Sequence, residues 1–396
     1  MAHILCSAEN FAYGPAGKLL TIASELNALG HDLTFVGYGT SYDLASQSSI
    51  FQAVHEIDTE LEDPAPLLLD LASSADLVIS CMDKGTVRAA KTVGVPSVWI
   101  DSLFYWWDDL PKEVLAADLY VKQDVLPDAQ NMQRYGKSIE NLLSIGPLVE
   151  SRGRNRDFEI VQNRALICFG GMDAPGWYEA GKNHDYPTVV TRLLHEVEFE
   201  GFDELIVTGA SHIMEELDQV YGGSKFQFRS LPHHVFVQML AESRVALLAG
   251  GLESTLEAFA NRVPAIFLPP LNVTHHLQVQ SLREAGAANA SISYDDYYPR
   301  FDWATKTRRE KVDEFLDRAR LFERDSSVQE DVTRRIQGWL VDDDLLDRQV
   351  RAQSAFMTGL KPRGRAVVLD AVESLLNSNA KGNPSARSSH GETALR

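Results

Sequence analysis

The chain has little of what marks an extracellular, membrane-embedded or nucleic-acid-binding protein. Cysteine is scarce: Cys6, Cys81 and Cys168 are the three in 396 residues. Odd in number, far apart and each inside an apolar run, they argue against a disulfide framework and a cysteine zinc site. They read as buried reduced thiols, the state expected in the cytoplasm. No apolar run approaches the roughly 20 residues that cross a bilayer. The start "MAHILCSAEN" lacks the basic region and apolar length of a signal peptide. Positive charge is in deficit, 37 Lys and Arg against 56 Asp and Glu, for a formal net charge of −19. That balance argues against a nucleic-acid partner, which selects basic surfaces. A single nucleotide held by backbone amides stays compatible with it.

What is present is the alternation of an α/β protein, in a chain longer than the about 250–300 residues at which single cores stop growing. Over residues 1–150, the strand candidates are "HILCSA", "DLTFVGY", "DLVISCM", "PSVWID", "DLYVK" and "NLLSIG". Amphipathic segments separate them, such as Lys18 to Leu29 with Leu19, Leu20, Ile22, Ala23 and Leu26 at helical spacing. The pattern restarts after a polar stretch near Pro147 to Asn163, with "ALICFGG", "ELIVTGA", "KFQFRS", "RVALLAG" and "PAIFLPP". Strands alternating with helices predict parallel sheets. The fold expected is therefore two tandem doubly wound Rossmann-like domains, residues 1–150 and 151–355, with a cleft between the C-terminal edges of their sheets. The second domain carries a densely charged helical insertion from Trp303 to Phe356. Its triple acid Asp342, Asp343, Asp344 reads as a metal site or as a solvated acidic helix end. A closing helix over 356–376 and a disordered tail over 377–396 complete the reading.

Chemistry concentrates in "LLAGGLESTLEAFANRVPAIFLPP", Leu247 to Pro270. An apolar strand ends at Gly250 and Gly251, and Ser254 or Thr255 can cap the helix that follows. Free amides and the helix dipole there favour an anion, and a diphosphate suits the place without a metal. Glu257, one turn further, can accept hydrogen bonds from both hydroxyls of a ribose. A capped helix with an exposed glutamate fits the same letters. The pairs His233-His234 and His275-His276 do not read as metal ligands, because neighbours on a helix point apart.

The surroundings extend the pattern: Pro232-His233 upstream, then Val263-Pro264, Pro269, His275-x-x-Gln278 and Ala285-Gly286-Ala287. Over roughly Ala165 to Ala288 the chain resembles the donor-binding domain of GT-B glycosyltransferases. It is similar both to the UDP-glycosyltransferases of small molecules and to the N-acetylglucosaminyl transferase of peptidoglycan synthesis. The resemblance implies that amides around Gly250, Gly251 and Leu252, with Ser254 and Thr255, hold the diphosphate. It implies Glu257 on the ribose, backbone near Leu231 facing the base, and His275 with Gln278 reaching the donor sugar. Gly170 and Gly171 match the first turn of that domain. "YGPAGKLL" is similar to the first loop and helix of the other domain, which puts Tyr13 and Gly14 beside the acceptor. "SIGPLV" resembles the hinge. Three family positions differ: Pro15 and Ala249 stand where histidines are common, and His275 and Gln278 replace a Gln and Asn. What the resemblance implies is inverting, metal-independent transfer from a UDP-sugar to a small-molecule acceptor, the donor being a co-substrate and no cofactor being needed. A sugar epimerase or hydrolase on the same fold, or a non-catalytic nucleotide-sugar-binding protein, is the alternative.

For the acceptor, "IDSLFYWWDDLP" ends a strand with Phe104, Tyr105, Trp106 and Trp107 in a row. Such aromatics stack on a planar or sugar-like molecule, or they fill the rim of the core. Asp101 at the strand end and Glu9 at the end of the first strand are the candidate general bases. Either acid also reads as a structural hydrogen-bonding residue.

Overall fold

The computed structural model describes residues 1–149, 162–175, 185–362 and 364–382. The first sheet holds β1 (His3–Ala8), β2 (Asp32–Gly37), β3 (Ala53–Glu56), β4 (Leu77–Cys81), β5 (Ser97–Asp101), β6 (Leu119–Gln123) and β7 (Leu142–Ile145) in the order β3-β2-β1-β4-β5-β6-β7. The second holds β8 (Gln162–Gly170), β9 (Glu204–Gly209), β10 (Gln227–Arg229), β11 (Ser243–Leu248) and β12 (Ala265–Phe267) in the order β10-β9-β8-β11-β12. Every pairing is parallel. Parallel strands need crossovers, and helices supply them on both faces. That is why the central strands β4 and β5 are buried along their whole length.

In each sheet the first strand lies between the second and the fourth, so the chain departs to opposite sides and leaves a crevice at the strands' C-terminal ends. The two crevices face each other. Phe11 to Tyr13 after β1, Gly170 and Gly171 ending β8, and Ala249 with Gly251 after β11 line one common cleft.

The strand β3 escaped the sequence reading. Its four residues "AVHE" are partly exposed at the sheet edge and carry no apolar run. The insertion forms helices Arg308–Arg324, Ser326–Leu340 and Asp343–Gly359, which bury one side through Phe315, Phe322, Val332 and Ile336. Asp342 caps the third of them, accepting from the amide of Leu345 at 2.8 Å. Asp343 pairs with Arg244. The triple acid is thus a helix start. Phe356 still belongs to that helix, edge-on to Phe259 of the second domain.

The closing helix runs Gly364–Gly382, further than residue 376. It packs back on the first domain through His31–Glu373 at 2.7 Å and Arg365–Glu25 at 3.1 Å. The chain passes between domains twice, at Gly146 and after Lys361. A Cβ on Gly146 would lie 1.7 Å from the Lys361 carbonyl oxygen, so the two passages touch only because Gly146 has no side chain. The expected boundary segment and tail fall largely on residues 150–161 and 383–396, outside the described residues.

Candidate active site

The cleft encloses about 1030 Å³ of space, part of it open to solvent. On the second domain the turn behind it begins at Gly250, whose φ of +93° is left-handed. A Cβ there would meet Val279 at 3.0 Å and His275 at 3.2 Å, so a glycine is required for conformation and for space. Gly251 then caps the helix Leu252–Ala260. The first amides of that helix have no partner within it, and Leu252, Glu253 and Ser254 line the cleft. The Ser254 hydroxyl donates to the Gly251 carbonyl at 3.2 Å, which stiffens the turn.

Glu257 is 1% exposed, so the reading of an exposed helix glutamate falls. Its carboxylate meets His233 Nε2 at 2.7 Å and lines the cleft. His275 Nδ1 lies 2.8 Å from the Ala249 carbonyl, an acceptor only, so this nitrogen carries the proton and donates. Nε2 is then left as an acceptor. Burial holds the ring neutral by pushing its pKa down to about 4.

Of the expected donor residues, Gly170, Gly171, Leu231, Gly251, Leu252, Ser254, Glu257, His275 and Gln278 line the cleft, as do Tyr13 and Gly14. Gly250 and Thr255 do not; they shape the turn from behind, Thr255 fully buried. Gly171 touches the opposite domain. A Cβ on it would lie 2.5 Å from the Ala12 carbonyl carbon, and the Ala12 amide donates to the Asp173 carbonyl at 2.6 Å. Tyr13 donates its hydroxyl to Asp43, which also accepts from Ser211 of the second domain at 2.9 Å.

The acceptor reading needs correction. Asp101 is 1% exposed and does not line the cleft. It accepts from Tyr120 Oη at 2.5 Å, from the Leu103 amide at 2.7 Å and from Trp107 Nε1 at 2.8 Å. Burial raises its pKa to about 6 against these three donors. So placed, it ties the loop to the strand end and meets no acceptor. The aromatic run divides as well. Phe104 and Trp106 are core, Trp107 is held by Asp101, and Tyr105 reaches Gln278 of the other domain at 2.8 Å. None of the four lines the cleft. Glu9 is partly buried and does not line the cleft either; its pKa is raised to about 8 by burial and then by Glu60 and Asp83.

Lys18, Glu253 and His233, to which the sequence assigned no role at the site, complete it. Lys18, from the helix Gly14–Ala28, pairs with Glu253 across the domain boundary, both nearly enclosed. His233, Glu253 and Glu257 bring side-chain ligand atoms within 4.8 Å of one another. The three could reach one cation, and the Lys18 ammonium already stands against them. The local signal was the glutamate inside "GGLESTLE", but its partner lies 235 residues away.

No protein-family model matches the chain, and no curated protein matches it significantly. Solved structures do. Spinosyn forosaminyltransferase SpnP is 15% identical, covering 95% of this chain and 99% of that one, with a TM-score of 0.56. Phytolacca americana UGT2, complexed with UDP-2-fluoro-glucose and pterostilbene, is 11% identical over 95% of this chain and 100% of that one, TM-score 0.52. Medicago truncatula UGT71G1, complexed with UDP-glucose, is 12% identical over 95% and 98%, TM-score 0.51. Two switch-point crevices facing across one cleft, and this whole-chain superposition, give the chain the GT-B fold of the glycosyltransferases.

Proposed function

We propose that the chain is a glycosyltransferase moving a sugar from a nucleotide diphosphate donor, a UDP-sugar, to a small-molecule acceptor. The observation that carries this is Glu257, buried at 1% exposure one turn below an amide-lined helix start and lining the cleft. A buried carboxylate aimed into a cleft calls for donors, and a ribose offers two hydroxyls. Two solved structures of this fold hold UDP-sugars or analogues, one with a small aromatic molecule beside it.

In this reading the helix start at Leu252 stabilises charge on the departing diphosphate, and neutral His275 accepts a hydrogen bond from a sugar hydroxyl. The acceptor nucleophile forms its bond to the anomeric carbon as the bond to the β-phosphate oxygen breaks, with inversion. Its proton passes to a base, for which Glu9 is the freer of the two acids, since three donors engage Asp101. The step needs no metal.

The test is donor consumption. UDP-, dTDP- and GDP-sugars are incubated with and without a panel of hydroxylated and heteroaromatic acceptors, and nucleotide release is followed. UDP release only when an acceptor is present is expected. Release or epimerisation without acceptor would favour a hydrolase or epimerase, and tight nucleotide binding without any turnover a binding protein.

A further inference from the structure

The helices Gly14–Ala28 and Leu252–Ala260 belong to different domains, yet the first turns of both line the same cleft, through Gly14 and Gly17 on one side and Leu252 and Ser254 on the other. Each brings the partial positive charge of its N-terminus. Between them lies the ion pair of Lys18 and Glu253, with side-chain exposures of 1% and 9%. Its carboxylate is only half used. Oε1 of Glu253 is enclosed and has no hydrogen-bond partner among the described residues, while Oε2 meets the ammonium. The first helix packs directly on this pair: a Cβ on Gly17 would lie at ordinary contact distance, 3.4 Å, from Glu253 Cγ. The groups facing Glu253 are Lys18 from the first domain, His233 from the preceding helix and Glu257 from its own. Two helix starts and an ammonium thus converge on one anion, and in the ligand-free protein that anion is the chain's own side chain.

We propose that Lys18 is a ligand of the donor diphosphate, held in reserve by Glu253, whose carboxylate occupies the phosphate position until the donor arrives. The proposal rests on the nucleotide-sugar reading of this cleft. A lysine buried this deeply needs a counter-charge when no donor is bound, because desolvating an unpaired ammonium is costly. When the diphosphate enters, carboxylate and phosphate cannot share the same ammonium without repulsion. Glu253 turns away and Lys18 passes to a non-bridging phosphate oxygen; no covalent bond changes. Because Lys18 stands on the first domain and the helix start at Leu252 on the second, the same contact couples donor binding to closure of the cleft.

Calorimetric titrations of UDP, UMP and uridine into wild type, Lys18→Met, Glu253→Gln and the double variant test this. Lys18→Met strands a buried carboxylate; the double variant removes both charges at similar volume and keeps the test valid if the single variant does not fold. Loss of a charged hydrogen bond predicts UDP binding at least about 10-fold weaker in the double variant. Uridine affinity should stay unchanged, and Glu253→Gln alone should bind UDP more tightly. UDP affinity unchanged in the double variant, or weakened in Glu253→Gln, overturns the proposal. Wild type that binds uridine and UDP equally overturns it too but leaves the nucleotide reading standing. Wild type that binds none of the three overturns both.

Discussion

The Gln278 side-chain amide donates to the Tyr105 hydroxyl at 2.8 Å, joining the aromatic loop of one domain to the cleft-lining helix Val273–Glu284 of the other. Gln278 Oε1 is buried with no hydrogen-bond partner among the described residues. Tyr105 therefore ties the two domains together at this point. Its phenol sits in a buried place that pushes its pKa up, so it stays a neutral donor and acceptor.

Tyr105→Phe should loosen the closed state without unfolding the protein. One neutral hydrogen bond is worth about 1 kcal/mol, roughly a 5-fold shift toward open forms. Small-angle scattering of the ligand-free variant should show a larger radius of gyration, restored by saturating UDP. A profile identical to wild type would mean that the remaining cross-domain contacts alone hold the cleft shut.

Asp101→Ala should cost stability. It strands the Tyr120 hydroxyl, the Trp107 indole and the Leu103 amide. At about 1–3 kcal/mol for each buried unsatisfied donor, urea unfolding should lose at least about 3 kcal/mol. Asp101→Asn should keep turnover per folded molecule within a few-fold. A drop of about 10²–10⁴-fold with intact folding would return Asp101 to the role of base.

Glu257→Ala should raise the dissociation constant for UDP by about 10- to 150-fold, the cost of a charged hydrogen bond. Wild type should discriminate against 2′-deoxy-UDP, and the variant should lose that preference. Equal affinities of the two proteins for UDP would remove the ribose role, and with it the main reason for preferring a UDP donor.

His275 gives a pH signature. Its pKa is depressed to about 4 in the folded protein by burial, against about 6.5 when unfolded. A depressed folded pKa contributes stability that is present above the unfolded value and lost as pH falls through the folded one. Between about pH 6.5 and 4 the ring should therefore remove up to about 3 kcal/mol. His275→Asn, which keeps a donor for the Ala249 carbonyl, should flatten the stability profile over that window. Parallel profiles for the two proteins would show that the ring is not held neutral by the fold.

Two domains of alternating strands and helices were legible in the chain, because strands buried on both faces must be continuous apolar runs. Most of the strands stand out that way; β10 shows instead Phe226 and Phe228 alternating with exposed Gln227 and Arg229, and β3, half exposed and four residues long, has no apolar run. The turn at Gly250 and Gly251, and Glu257 one helical turn beyond, were legible for a related reason: backbone conformation and helical spacing are local. Which groups meet was not. Tyr105 and its three aromatic neighbours are alike as letters, and only the rim of the sheet sends Phe104 and Trp106 inward and Tyr105 across to Gln278. Asp101 looks as free as Glu9 in the chain, yet Tyr120 of β6 and two donors from the loop after β5 close around it. Lys18 reads as a residue of an amphipathic helix until a glutamate 235 positions away is brought against it. Local patterning determined the elements; the pairing of charges across the cleft was decided by the docking of two domains, since burial gives a charge its meaning and no short stretch of sequence contains it.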